Sequence, residues 1–238
     1  MKIPREFKEF FSSPAFYIIA ALFLALSGYR FYSLILSYMD LMSSYPEYIV
    51  GGEISSLMGL DPNIFIFPKL FEFYSYLVLL SVPVINIGIA YDSSNSIDKM
   101  ELMIRGVSEY RYILRKAFVS SIILIIIIIP TFLYPLILWI FTEPDKGLLL
   151  SSYAGLFLLI FASSCLVSPI GVLSNPISVT VFLNMVVLFF TYTYFWSSSF
   201  SPFLYGMLKF STIIEVLIFS ALMIFISGKI YQSKRIYS

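Results

Sequence analysis

From Gly147 to Leu208 the chain carries no charged side chain. An apolar run of roughly 20 residues spans the hydrocarbon of a bilayer as one helix, so this stretch is long enough to cross twice. In lipid every backbone N–H and C=O must be satisfied within the segment, which leaves helices for runs of this kind. The break between the two crossings falls at Leu173-Ser174-Asn175-Pro176, where Asn-Pro favours a turn. Similar runs elsewhere place further crossings, and the expected set is 16–38, 69–90, 117–141, 148–172, 177–196 and 210–231. The fold class is therefore all-α: a single polytopic membrane domain with six transmembrane helices.

Composition agrees. Of the 238 residues, 59% are hydrophobic and 12% charged, against about 25% charged in soluble domains. The net charge of +1 offers no basic stripe for nucleic acid. There is no histidine, which removes histidine-based triads and histidine metal sites. The single cysteine, Cys165, excludes an internal disulfide. No G-x-x-x-x-G-K-[ST] or G-x-G-x-x-G motif is present, so no nucleotide is expected to be bound or split by this chain. No metal or other cofactor is expected in it either.

The joining segments set the orientation. Residues 2–13 place Ile3, Phe7, Phe10 and Phe11 on one helical face, with Lys2, Arg5, Glu6, Lys8 and Glu9 opposite, as in a helix lying in the membrane surface. Pro14 then redirects the chain. Residues 16–26 also resemble the apolar region of a signal peptide, but the two acids before them and the apolar run past Ser27 argue against it. Segment 39–68 holds Asp40, Glu47, Glu53 and Asp61 without a Lys or Arg. Segment 91–116 holds nine charged residues: Asp92, Asp98, Lys99, Glu101, Arg105, Glu109, Arg111, Arg115 and Lys116. Counting Lys and Arg in the joining segments, eleven lie on the side of the N-terminus, segment 91–116 and the C-terminus, and two, Lys146 and Lys209, on the other. The positive-inside rule puts both termini and 91–116 in the cytoplasm. Arg30 is expected near the far interface. Residues 197–209 look too short and broken to span and suggest a re-entrant or interfacial turn.

Segment 91–116 is the largest charged surface the chain offers to a soluble partner. Within it Ile97, Met100, Ile104 and Val107 recur at helical spacing, Asp98 and Glu101 stand as in a weak capping box, and Gly106 suits a helix end. A short amphipathic docking helix over 96–105 is expected; the alternative is that it rests on the lipid surface. Four polar residues sit in apolar runs: Glu72, Asn86, Asn184 and Glu215. An ionisable group in a membrane helix suggests a translocation role. Glu72 is also three residues from Lys69 and suits an interfacial pair, and the asparagines suit interhelical hydrogen bonds.

The ordered layout resembles the type-2 permease subunits of ATP-binding-cassette (ABC) transporters, in particular the gliding-type and nitrous-oxide-accessory-type members. Phe7-Lys8-Glu9-Phe10-Phe11-Ser12-Ser13-Pro14 is similar to their elbow helix, and Leu26-Ser27-Gly28-Tyr29-Arg30-Phe31 to the segment that follows it. Asp92, Glu101-Leu102, Val107-Ser108 and Ile113-Leu114-Arg115-Lys116 resemble the loop entering the third helix. Tyr134-Pro135 and Ser152-Tyr153-Ala154-Gly155-Leu156 extend the likeness. The chain departs from the pattern where Ile97-Asp98 stands near the place of a Gly-Thr pair and Gly106 replaces a proline. The resemblance implies a cell-membrane permease that works as a dimer, with itself or a related permease. Separate cytoplasmic ATPase subunits, which bind ATP and Mg, would dock on the elbow (Phe7, Phe10, Phe11) and on Ile97, Met100, Glu101, Ile104 and Arg105. Export is the implied activity. Two other readings remain: a self-sufficient ion-coupled carrier or channel using Glu72 or Glu215, and a membrane scaffold.

Overall fold

The computed structural model describes residues 11–44, 61–91, 108–140, 143–173 and 177–236. Of these, 93% are helical and none is in a strand. The first span is α1 (Pro14–Ser44) and the second α2 (Pro62–Tyr91). The third consists of α3 (Glu109–Ile128), a 3-10 turn (Ile129–Phe132) and α4 (Leu133–Leu138). The fourth is α5 (Lys146–Leu173). The fifth runs through α6 (Ile177–Thr191), a π turn (Tyr192–Trp196) and α7 (Ser197–Leu204). The sixth is α8 (Phe210–Ile236). Six helices are thus long and apolar enough to cross a membrane. The elbow segment before residue 11 lies outside the described residues.

Several boundaries differ from the sequence reading for identifiable reasons. α2 begins at Pro62 rather than 69, because Asp61 caps it: its carboxylate accepts the Asn63 N–H at 2.8 Å. A proline at the first helical position carries the φ that a helix needs. α3 begins at Glu109, so Glu109, Arg111, Arg115 and Lys116 belong to a helix and not to the loop. The N-terminal end of α3 is held by Tyr110, whose ring stacks on Phe225 of α8 at 5.9 Å. Residues 197–204 are not a separate turn but the continuation of the fifth span. The third span tightens at Ile129–Phe132, where Pro130 has no N–H to give the carbonyl four residues back.

The fourth span is the hub. Of its apolar stretch 72% is buried, against 22% for the first, fifth and sixth spans, so α5 is surrounded by protein while those three face outward. It packs on α2, α3, α6, α7 and α8. Tyr153 of α5 stacks on Phe132 at 3.9 Å and meets the edge of Phe71 at 4.7 Å. Phe71 in turn meets Tyr74 at 5.4 Å. Gly155 lets the fifth span approach: a Cβ there would lie 2.6 Å from the Cβ of Phe203. At that contact the Ser151 and Ser152 hydroxyls both donate to the Phe203 carbonyl, at 2.9 and 3.2 Å.

Candidate functional site

The depth of each polar residue follows from how the helix ends are tied. Asn63, near the start of α2, donates from Nδ2 to the Glu143 carbonyl (3.1 Å) and accepts the Asp145 N–H on Oδ1 (3.2 Å). Asp145 then caps α5, accepting the N–H groups of Gly147 (2.8 Å) and Leu148 (3.2 Å). The N-terminal ends of α2 and α5 are therefore at one level.

At 1.5 Å rise per residue, Lys69 and Glu72 lie about 10 and 15 Å below the start of α2. Both therefore stand further along the helix than a start at 69 would place them. Both residues are exposed on the bundle surface. They do not pair with each other. The Lys69 ammonium turns outward and lies 3.6 Å over the ring of Phe65. Glu72 turns the other way and lies close to Tyr76, one turn further on. The Tyr76 ring in turn meets Tyr192 of the π turn at 5.6 Å. Glu72 thus marks the seam between the second and fifth spans.

Arg30 is also deeper than expected. It is the middle residue of the Phe16–Ser44 span, out of snorkelling reach of either end. Its guanidinium lies 5.9 Å from the Phe73 ring centroid, and its buried Nε has no hydrogen-bond partner.

Glu215 lies one and a half turns into α8 and is exposed. It accepts a hydrogen bond from Ser199 (3.3 Å), and Thr212 donates to the Ser199 carbonyl (3.0 Å). Asn86 is buried but donates to the Val82 carbonyl of its own helix (3.1 Å). Asn184 is fully buried, and neither its amide oxygen nor its nitrogen has a partner. Among the described residues the interhelical bonds expected of the two asparagines are not made: Asn86 finds an acceptor one turn back and Asn184 faces none.

No hydrogen bond or ion pair among the described residues joins Glu72, Asn86, Asn184 and Glu215. Among the docking residues, Phe11 meets Phe16 edge-on at 4.7 Å. Phe7, Phe10, Ile97, Met100, Glu101, Ile104 and Arg105 lie outside the described residues. Among the described residues no three His, Cys, Asp or Glu side chains are grouped to hold a metal ion. Sequence reasoning missed the Arg30–Phe73 contact and the ring cluster at Tyr153, since both are cross-helix meetings with no local pattern. No protein-family model, curated protein or solved structure matches the chain.

Proposed function

We propose that this chain is the permease subunit of an ABC transporter in the cell membrane. Two copies, or one copy and a related permease, form an export path, and separate cytoplasmic ATPase subunits that hold ATP and Mg drive it. The observation that carries this reading is the outward placement of the carboxylates. Glu72 and Glu215 are exposed on the bundle surface while the interior between α2, α3 and α5 is filled with rings and aliphatic side chains. A path that uses these carboxylates runs along the outside of one bundle, where a second subunit closes it. The excess of Lys and Arg on one side supports a cytoplasmic location for both termini and for segment 91–116, facing the ATPase. On this reading Phe7, Phe10 and Phe11 and the stripe Ile97, Met100, Glu101, Ile104 and Arg105 receive the ATPase, whose closure tilts the helices.

The test is purification of the tagged protein from native membranes in mild detergent, with ATP hydrolysis assayed in the eluate. Wild type is compared with Glu101→Lys/Arg105→Glu. ATPase activity that follows wild type and is lost with the variant supports the reading; folded wild type free of ATPase in several detergents overturns it. One observation favours a second reading, an ion-coupled carrier: Glu72 is an exposed carboxylate nearly three turns into an apolar span, beside Tyr76. That reading requires transport by the purified chain alone, abolished by Glu72→Gln.

A further inference from the structure

We infer that two copies of this chain meet along α2 through a reciprocal pair of ionic contacts, Lys69 of each copy with Glu72 of the other. This rests on the dimeric reading above and specifies its interface.

The face is continuous. Lys69, Glu72, Tyr76, Leu80 and Val84 follow one another at spacings of three and four residues, which keeps them along one side of a helix. All five are exposed in the single chain; the apolar ones, Leu80 and Val84, are 42% and 40% exposed. The two charged members stand two to three turns into α2, about 10 and 15 Å from its start, and neither has an ionic partner among the described residues. A protein that covers this stripe buries its two charges, and a buried charge needs a partner, so whatever covers it must supply a cation to Glu72 and an anion to Lys69.

Symmetry makes a second copy fit that demand. Two identical subunits inserted with the same sidedness are related by a two-fold axis along the membrane normal, and such an interface is self-complementary. Rotation about that axis leaves depth unchanged. A residue therefore meets only groups at its own level in the partner. Lys69 and Glu72 are three residues apart, about 4.5 Å in depth, which a lysine side chain covers with ease. They carry opposite charge, and within one chain they point away from each other, Lys69 towards Phe65 and Glu72 towards Tyr76. Placed across the axis, each supplies what the other lacks, twice per dimer.

The test exploits that reciprocity. In Lys69→Glu the contact becomes Glu against Glu; in Glu72→Lys it becomes Lys against Lys. Each variant alone repels itself. A Lys69→Glu copy facing a Glu72→Lys copy has two attractive pairs again. Differently tagged copies are co-expressed, and their association in native membranes is read by co-purification. Disulfide formation between Leu80→Cys residues in a Cys165→Ser background provides a second reading. We expect each variant alone to lose at least ~10-fold in association, and the mixture to recover to within about threefold of wild type. A contact within one chain cannot produce this rescue. Lys69→Gln and Glu72→Gln, which remove charge without repulsion, serve if a reversal lowers the amount in the membrane, and smaller losses are expected of them. Wild-type copies that associate, with reversals that change nothing and no cross-link at Leu80→Cys, would overturn the interface and leave the dimer standing. Wild-type copies that do not associate at all would overturn both.

Discussion

The Tyr134 hydroxyl donates to the Leu24 carbonyl at 3.1 Å, tying the third span to the first just beyond the 3-10 turn. The same hydroxyl lies 3.2 Å from Ser27 Oγ, which itself donates to Leu24 at 3.0 Å. Gly28 leaves room for it, since a Cβ there would come within 3.1 Å of the Tyr134 oxygen. Phe31 packs on the Tyr134 ring at 4.9 Å. Tyr134→Phe keeps the ring and removes only the hydroxyl. It should lower stability by about 1 kcal/mol, the usual net worth of one hydrogen bond, seen as a lower thermal midpoint in detergent. Ser27→Ala added to Tyr134→Phe should cost less than it does alone, because the two groups share one acceptor. An unchanged midpoint for Tyr134→Phe would show that the tie contributes nothing.

Asn63 is the second fastening. It satisfies the Asp145 N–H and the Glu143 carbonyl with one amide. Asn63→Leu has similar volume but removes both bonds; Glu143 and Asp145 are exposed, so water replaces the amide in part and the cost is about 0.5–1.5 kcal/mol per bond. Amide hydrogen exchange at Asp145, Gly147 and Leu148 should speed up, since the cap of α5 depends on where Asp145 is held. Asn63→Asp keeps an acceptor and loses the donor, and should exchange at a rate between the two. Unaltered exchange in Asn63→Leu would mean that Asp145 holds its position unaided.

Gly155 tests the packing of the fifth span on the fourth. Alanine at this position drives its Cβ into Phe203, whose Cβ and Cγ would lie at 2.6 and 2.9 Å. Overpacking of this sort costs about 1–3 kcal/mol. It also pushes away the Phe203 carbonyl that Ser151 and Ser152 use. Gly155→Ala should therefore melt earlier. Gly155→Ala/Phe203→Gly, which removes the Phe203 Cβ as well as the ring, should lose clearly less than the sum of its two parts. Additive losses would argue that the clash is relieved elsewhere.

Much of this fold was legible in the apolar runs, because a chain that must satisfy its backbone in lipid has few choices. Helix ends were less legible, and the misreadings share a cause. Prolines, serines and charges read as loop, yet each has a place in a helix. Pro62 follows the capping Asp61 and starts α2. Glu109 and Arg111 belong to a helix that runs beyond the apolar stretch. Ser197 closes its hydroxyl on the Thr193 carbonyl at 3.2 Å and so stays helical. The Asp61-Pro62 pair was the one signal that could have placed a boundary correctly. Glu72 and Glu215 were visible as out of place, but their exposure was not, since period alone does not tell a face turned to lipid from one turned to another subunit. Arg30 looked interfacial only because the helix beyond it was underestimated.

Arg30 offers the sharpest stability test. Its guanidinium rests on the Phe73 ring, its Nε is sealed off, and it stands in the middle of α1. A charge held this way is stabilised by the ring by about 0.5–2 kcal/mol, while the sealed Nε–H forgoes a hydrogen bond at a cost of about 1–3 kcal/mol. Arg30→Met keeps most of the side-chain length and removes that burden, so the isolated protein should melt at the same temperature or higher. Phe73→Leu should hurt the wild type more than it hurts Arg30→Met, because in wild type it also strips the charge of its only described contact. Four midpoints, measured in one detergent, give the coupling between the two side chains. A positive coupling with a stable Arg30→Met means that Arg30 is kept for something other than folding. A marked loss of stability in Arg30→Met would mean instead that the guanidinium anchors the first span to the second, and would remove it from consideration as a functional charge.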